Sequence, residues 1–274
     1  MKRFLTVILA LFFSINMVFA GIDRLSPEYL QSVNGFSLSK GIAESVAKRA
    51  IKRALKKQTG HRFDVEFEGY TASSIKRGVF KSIDISAKDI VIEDIPLPYL
   101  HIKSLTDYNY IDYTKTPVEF KSDMDYAYEL ILSEDSINAA LKDSDYLKII
   151  SKVNRIAKPL FVVKQVQTKI VDNKLYILTD YNLPFAKTKD RTFVAKSDFE
   201  VVNGKIRAKN VSIDTSYGHL GLNKVANLIN YLNPLEFTLG SLDDNKHNAN
   251  IENINIVDNK VKVDGKIFVR TNKK

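Results

Sequence analysis

Cysteine is absent from all 274 residues. That excludes disulfides, thiolate nucleophiles and cysteine-held metals, so the fold must rest on its core alone. Histidine is scarce. His61, His101, His219 and His247 are the only four, and none has a partner at a metal-binding spacing such as i, i+4. No glycine-rich loop opens a helix after a strand, which leaves no phosphate cradle of the nucleotide-binding kind. No G-x-S-x-G elbow is present. The acidic pair Asp123/Asp125 falls on the wet side of an alternating strand, and the pair Glu93/Asp94 has no partner motif. A glycosidase pair needs an enclosed cleft instead. The expectation is a protein that is not an enzyme and takes no cofactor and no metal.

Long apolar runs are confined to the first 20 residues. Lys2 and Arg3 precede an uncharged stretch, and Val18 and Ala20 supply the small-residue pattern of a signal-peptidase site. Residues 1–20 are therefore expected to be a signal peptide cleaved after Ala20, residues 21–37 a lead-in, and residues 38–274 a single domain, since no Pro/Gly/Ser linker divides them. An exported chain without cysteine fits the periplasm or cell envelope of a bacterial-type cell. The formal charge is +9, from 41 basic and 32 acidic side chains. Export and the lack of any zinc-ligand cluster or RNA-type aromatic motif argue against nucleic acid as the partner. An anionic membrane surface remains the partner that the basic excess suits.

What is present is strong periodicity. In residues 38–58, apolar pairs recur every four residues: Ile42/Ala43, Val46/Ala47, Ala50/Ile51 and Ala54/Leu55. The basic pairs Lys48/Arg49, Lys52/Arg53 and Lys56/Lys57 fill the gaps, and Thr59-Gly60 supplies a stop. From Phe63 the period becomes two, with a parity slip near Lys88-Asp89 that suggests a bulge. The longest alternation runs from Val118 through Phe120, Met124, Tyr126, Tyr128 and Leu130 to Leu132 and predicts one long antiparallel strand. Ser133 then caps a helix that restarts near Asp143 and ends by Pro159. The turns 171–174 (VDNK), 202–205 (VNGK) and 257–260 (VDNK) predict hairpins. A last helix is expected at 222–232, stopped by Asn233-Pro234. The predicted class is α+β.

Three segments resemble the LmeA-like phospholipid-binding family. Residues 78–92 (GVFKSIDISAKDIVI) are similar to its early strand block. Residues 132–141 (LSEDSINAAL) match its S/T-E-x-x-L-N helix start, with Glu134, Ile137 and Asn138 on the matching positions. Residues 232–235 (LNPL), followed by a last hairpin, resemble its closing segment. The insertion Pro96-Leu97-Pro98 and the lysine-rich surface depart from the family pattern. The resemblance covers roughly residues 40–270. It implies an exported phospholipid binder built as an elongated, highly curved antiparallel sheet wrapped around a long N-terminal helix, with two further short helical segments, as in tubular lipid-binding domains. It carries over no catalytic residue.

An acyl chain in water costs about 0.8 kcal/mol per methylene, so a carried lipid needs an apolar sleeve. Phe120, Met124, Tyr126, Tyr128 and Leu130 are the expected lining. Lys48, Arg49, Lys52, Arg53, Lys56 and Lys57 are the expected contact with a headgroup or membrane surface. The rival reading is a ligand-free envelope adaptor that presents β edges to a protein partner.

Overall fold

The computed structural model describes residues 39–92, 94–112, 119–157, 161–184, 191–214, 230–239 and 247–271. The expected signal peptide and lead-in, and all but the last turn of the expected helix at 222–232, lie outside them.

Helix α1 (Lys40–Thr59) buries Ala47, Ile51 and Leu55, one residue from each of the three later apolar pairs. It ends where Gly60 adopts φ 78°, a left-handed turn that glycine accepts without strain, and the Gly60 N–H bonds the Lys56 carbonyl. Strand β1 (Asp64–Glu68), the short helix α2 (Ala72–Lys76) and strand β2 (Val79–Phe80) follow. Strands β3 (Ser82–Ile92), β4 (Ile95–Ser104), β5 (Asn109–Asp112), β6 (Glu119–Phe120) and β7 (Met124–Leu132) come next. Helices α3 (Glu134–Ala140) and α4 (Ser144–Ala157) lead into β8 (Val162–Val171), β9 (Lys174–Asn182), β10 (Arg191–Val202) and β11 (Lys205–Asp214). Helix α5 (Pro234–Leu239) precedes β12 (His247–Val257) and β13 (Lys260–Val269).

Every strand pair among the described residues is antiparallel, which bears out the α+β class. A six-stranded sheet has the order β1-β3-β4-β7-β13-β12, a four-stranded sheet β11-β10-β9-β8, and a small sheet β2-β5-β6. The two larger sheets touch where β12 meets β10 and β11, while α3 bridges β4 and β8. Their apolar faces and the buried sides of α3, α4 and α5 belong to one contiguous core.

The sheet does not wrap around the first helix, contrary to expectation. Helix α1 packs on β1, the edge strand, and on α2. The reason lies in its narrow apolar stripe. Only three residues of twenty are buried, so α1 covers one edge of the sheet and cannot fill the interior of a curled one.

The expected long strand is broken. Phe120 pairs with Ile111 in the small sheet, and β7 starts only at Met124. Between them the Ser122 hydroxyl accepts the Tyr110 N–H at 2.8 Å, and the Asp123 carboxylate accepts the N–H and hydroxyl of Thr271, both at 2.8 Å. These side chains bind backbone in place of a ladder, which alternation cannot reveal.

The parity slip in β3 is present, with Ala87 and Ile90 buried and Lys88 and Asp89 exposed between them. It is not a one-sided bulge, because β3 and β4 keep one register through Lys88↔Tyr99 and Ile90↔Leu97. Asp89 takes φ 49° opposite Pro98, which has no N–H to offer the ladder. Strand β4 slips in step, burying Leu97 and then Leu100.

All three hairpin turns form, and their central residues have positive φ: Asp172 (51°) and Asn173 (56°), Asn203 (52°) and Gly204 (74°), Asp258 (51°) and Asn259 (54°). This is the type I′ geometry that Asn, Asp and Gly favour. Asn233-Pro234, expected to stop a helix, follows a helical turn that ends at Tyr231 and also starts a new helix. The Asn233 side chain accepts the Leu235 N–H at 3.1 Å, and Pro234 takes the first helical position, where its missing N–H costs nothing.

Both outer edges of the four-stranded sheet are closed by side chains. On β8, Asn154 exchanges two bonds with Val163, Asn138 exchanges two with Thr168, and Glu134 accepts the Ile170 N–H. On β11, Glu236 accepts the Ile206 N–H, Asn233 donates to the Ile206 carbonyl, and Asn230 accepts the Ala208 N–H. Each edge is thus bonded by two asparagines and one glutamate. Free ladder groups recruit foreign strands, and at these five residues they are already occupied.

Candidate functional site

The basic residues of α1 divide by what they face. Lys48 pairs with Glu66, and Lys52 with Asp64 at 3.3 Å, across the edge of β1. Glu44 accepts the Gly69 N–H at 2.9 Å. These three contacts fasten the helix lengthwise along the strand. The turn at Gly60 sends the chain back beside α1 and brings Arg62 and Phe63 against its last two turns. The far end of β3 is held there too, since the Val91 N–H donates to His61 Nε2 at 3.1 Å.

A groove of about 780 Å³ results. It is lined by Ser45, Lys48, Arg49, Lys52, Arg53 and Lys56 of α1, by Arg62, Phe63 and Asp64 at the start of β1, and by Ser86, Ala87 and Lys88 of β3. Seven cations share it with one carboxylate, Asp64, which is already engaged by Lys52. Arg49, Arg53, Lys56, Arg62 and Lys88 have no carboxylate partner among the described residues. The volume lies within the range of small-ligand sites, and concave walls of one charge concentrate the field on any anion that enters.

Five of the six basic residues expected to contact a headgroup therefore line one groove, and Lys57 is exposed outside it. Arg62 and Lys88 complete the groove and escaped the sequence reading. Arg62 follows the helix stop, and Lys88 sits at the parity slip, so the basic spacing of the helix signals neither.

The expected apolar lining takes a different place. Met124, Tyr126 and Leu130 have no accessible surface, and Tyr128 is 3% exposed. Residues that line an open sleeve would keep accessible surface on the inner side. These four are packed core, shared by β7 with its neighbours β4 and β13. Phe120 stands apart in the small sheet, half buried. Burial pushes the phenols of Tyr126, Tyr128 and Tyr146 well above their ordinary range.

The remaining chemistry-bearing residues are separate from the groove or engaged in structure. His101 pairs with Asp84 at 2.8 Å across β3 and β4. Asp125 pairs with Arg270 at 2.5 Å. Glu93, His219 and the side chain of His247 lie outside the described residues. Among the described residues no three His, Asp or Glu side chains converge as a metal site, and no helix is long and apolar enough to cross a membrane. No family model, curated protein or solved structure matches the chain.

Proposed function

We propose that this protein is a non-enzymatic binder of anionic phospholipid that works in the cell envelope after export and meets the bilayer through the groove beside α1. The observation that carries this reading is the charge of the groove: beside Lys48 and Lys52, which pair with Glu66 and Asp64, five further cations line one concavity with no carboxylate partner among the described residues. A cation near an anionic bilayer surface contributes about 1 kcal/mol, and several on one rigid element act together. Helix α1 is such an element, fastened by Glu44, Lys48 and Lys52. Its outward side also presents Ile42 and Val46, 53% and 38% exposed, as apolar contacts for the interface. The resemblance to the LmeA-like family supports the same ligand class, and the pattern of residues 1–20 supports export.

On this reading the lipid stays in the membrane, and the packed β7 face serves as core. The test is sedimentation with phosphatidylglycerol vesicles at low salt. Changing Arg49, Arg53, Lys56 and Arg62 to Gln should lower binding on the order of 100-fold or more. Equal sedimentation of this variant and the wild type removes the groove from the function.

A further inference from the structure

We infer that the groove is selective for a phosphate monoester headgroup and is not merely a patch of positive charge. This rests on the membrane-binding reading above and deepens it. Three features carry the inference. First, the unpaired charge is concentrated: Arg49, Arg53, Lys56, Arg62 and Lys88 converge from the helix, from the segment beyond its cap, and from β3. A phosphodiester carries one negative charge and leaves most of this field unanswered. A monoester carries between one and a half and two, as about −1.5 to −2 at neutral pH. Second, three of the five are arginines, and their planar guanidiniums bind phosphate oxygens in pairs of parallel hydrogen bonds, which lysine ammonium groups cannot do. Arg49 and Arg53 stand four residues apart on one side of α1, and Arg62 lines the same groove from outside the helix. Third, the walls are not uniformly charged. Ser45 and Ser86 place hydroxyls on the helix wall and the strand wall. That mixture suits the glycerol portion beside a terminal phosphate.

The experiment compares vesicles containing phosphatidic acid, a monoester, with phosphatidylglycerol vesicles, a diester, at matched surface potential. Wild type is expected to bind phosphatidic acid about tenfold more tightly. The charge-conserving variant R49K/R53K/R62K should lose that preference and bind the two lipids alike. Circular dichroism checks that it folds, and a single R62K variant, outside the helix, should lose part of the preference. Equal wild-type binding to the two lipids overturns the inference while leaving membrane binding intact. So does a lysine variant that keeps the preference. Failure to bind either vesicle overturns the function on which it rests. Glycerol 3-phosphate in solution should compete only at millimolar concentration. Binding of that soluble ester as tight as the vesicle lipid would assign the groove to a soluble ligand and overturn the headgroup assignment.

Discussion

Asn173 and Asn259 hold each other. The Asn173 N–H donates to the Asn259 side-chain oxygen at 3.0 Å, and the Asn259 N–H donates to the Asn173 oxygen at 2.9 Å. They occupy the same position in two VDNK turns, one at the tip of β8–β9 and the other at the tip of β12–β13. The clasp therefore ties the four-stranded sheet to the six-stranded one. Replacing either with Gly keeps the left-handed turn conformation accessible and removes only the side chain. Each of N173G and N259G should cost about 0.5–1.5 kcal/mol in denaturant unfolding. The double variant should cost less than the sum, because the two bonds form one contact.

The asparagines that close β8 protect against association as well as unfolding. N138A strips three bonds from Thr168, two of them from its backbone, and leaves that backbone unpaired on an edge. It should lower stability by about 1–3 kcal/mol. Light scattering should show stronger concentration-dependent association for the variant than for the wild type. A variant that stays monomeric at high concentration would mean that the edge needs no such protection.

Tyr128 and Gly265 face each other across β7 and β13. The Tyr128 hydroxyl is buried without a hydrogen-bond partner. Removing it in Y128F should leave stability unchanged or raise it by up to about 1–2 kcal/mol, since an unsatisfied buried polar group disappears. A Cβ on Gly265 would meet the Asn250 carbonyl oxygen of the neighbouring strand and stand 2.8 Å from the Tyr128 hydroxyl. G265A should destabilise by about 1–3 kcal/mol or more. Y128F should not restore it, because the backbone clash remains. Urea unfolding of the two single variants and the double variant checks all three statements.

Asp198 carries a pH dependence. Hydrogen bonds from Lys174 at 2.7 Å and Asn210 at 3.1 Å hold its carboxyl below the ordinary aspartate value. A lowered native value favours the charged form in the folded state. Its contribution is therefore complete above the unfolded value of about 4 and is lost as pH falls through the native value. D198N cannot titrate, so it should melt below the wild type at neutral pH and approach it in acid. Parallel melting curves at every pH would contradict this assignment.

Much of the fold is readable in the sequence where one local rule decides the outcome. The four-residue apolar recurrence places α1, and the turn residues place the three hairpins because few residues tolerate positive φ. The rule fails where tertiary partners intervene. Alternation continues through Ser122 and Asp123, yet their side chains bind the Tyr110 and Thr271 backbones and end the strand. Pro234 reads only as a stop, and a helical turn does end at Tyr231, but Asn233 also caps the helix that Pro234 opens. The position of α1 also depends on a tertiary choice, because a stripe that suits the edge of a sheet also suits the inside of a curved one. The basic stripe was readable as a helix face. The groove was not, since Arg62 and Lys88 reach it only through the Gly60 turn and the β1–β3 pairing.

The most direct test of the account is amide hydrogen exchange with and without phosphatidylglycerol vesicles, which reports where lipid meets the protein. Protection should rise in α1, in residues 62–64 and around Lys88, while exchange in β7 stays unchanged. Altered exchange across β7, with α1 unaffected, would mean that the core opens to take lipid inside, and the surface groove would be the wrong site.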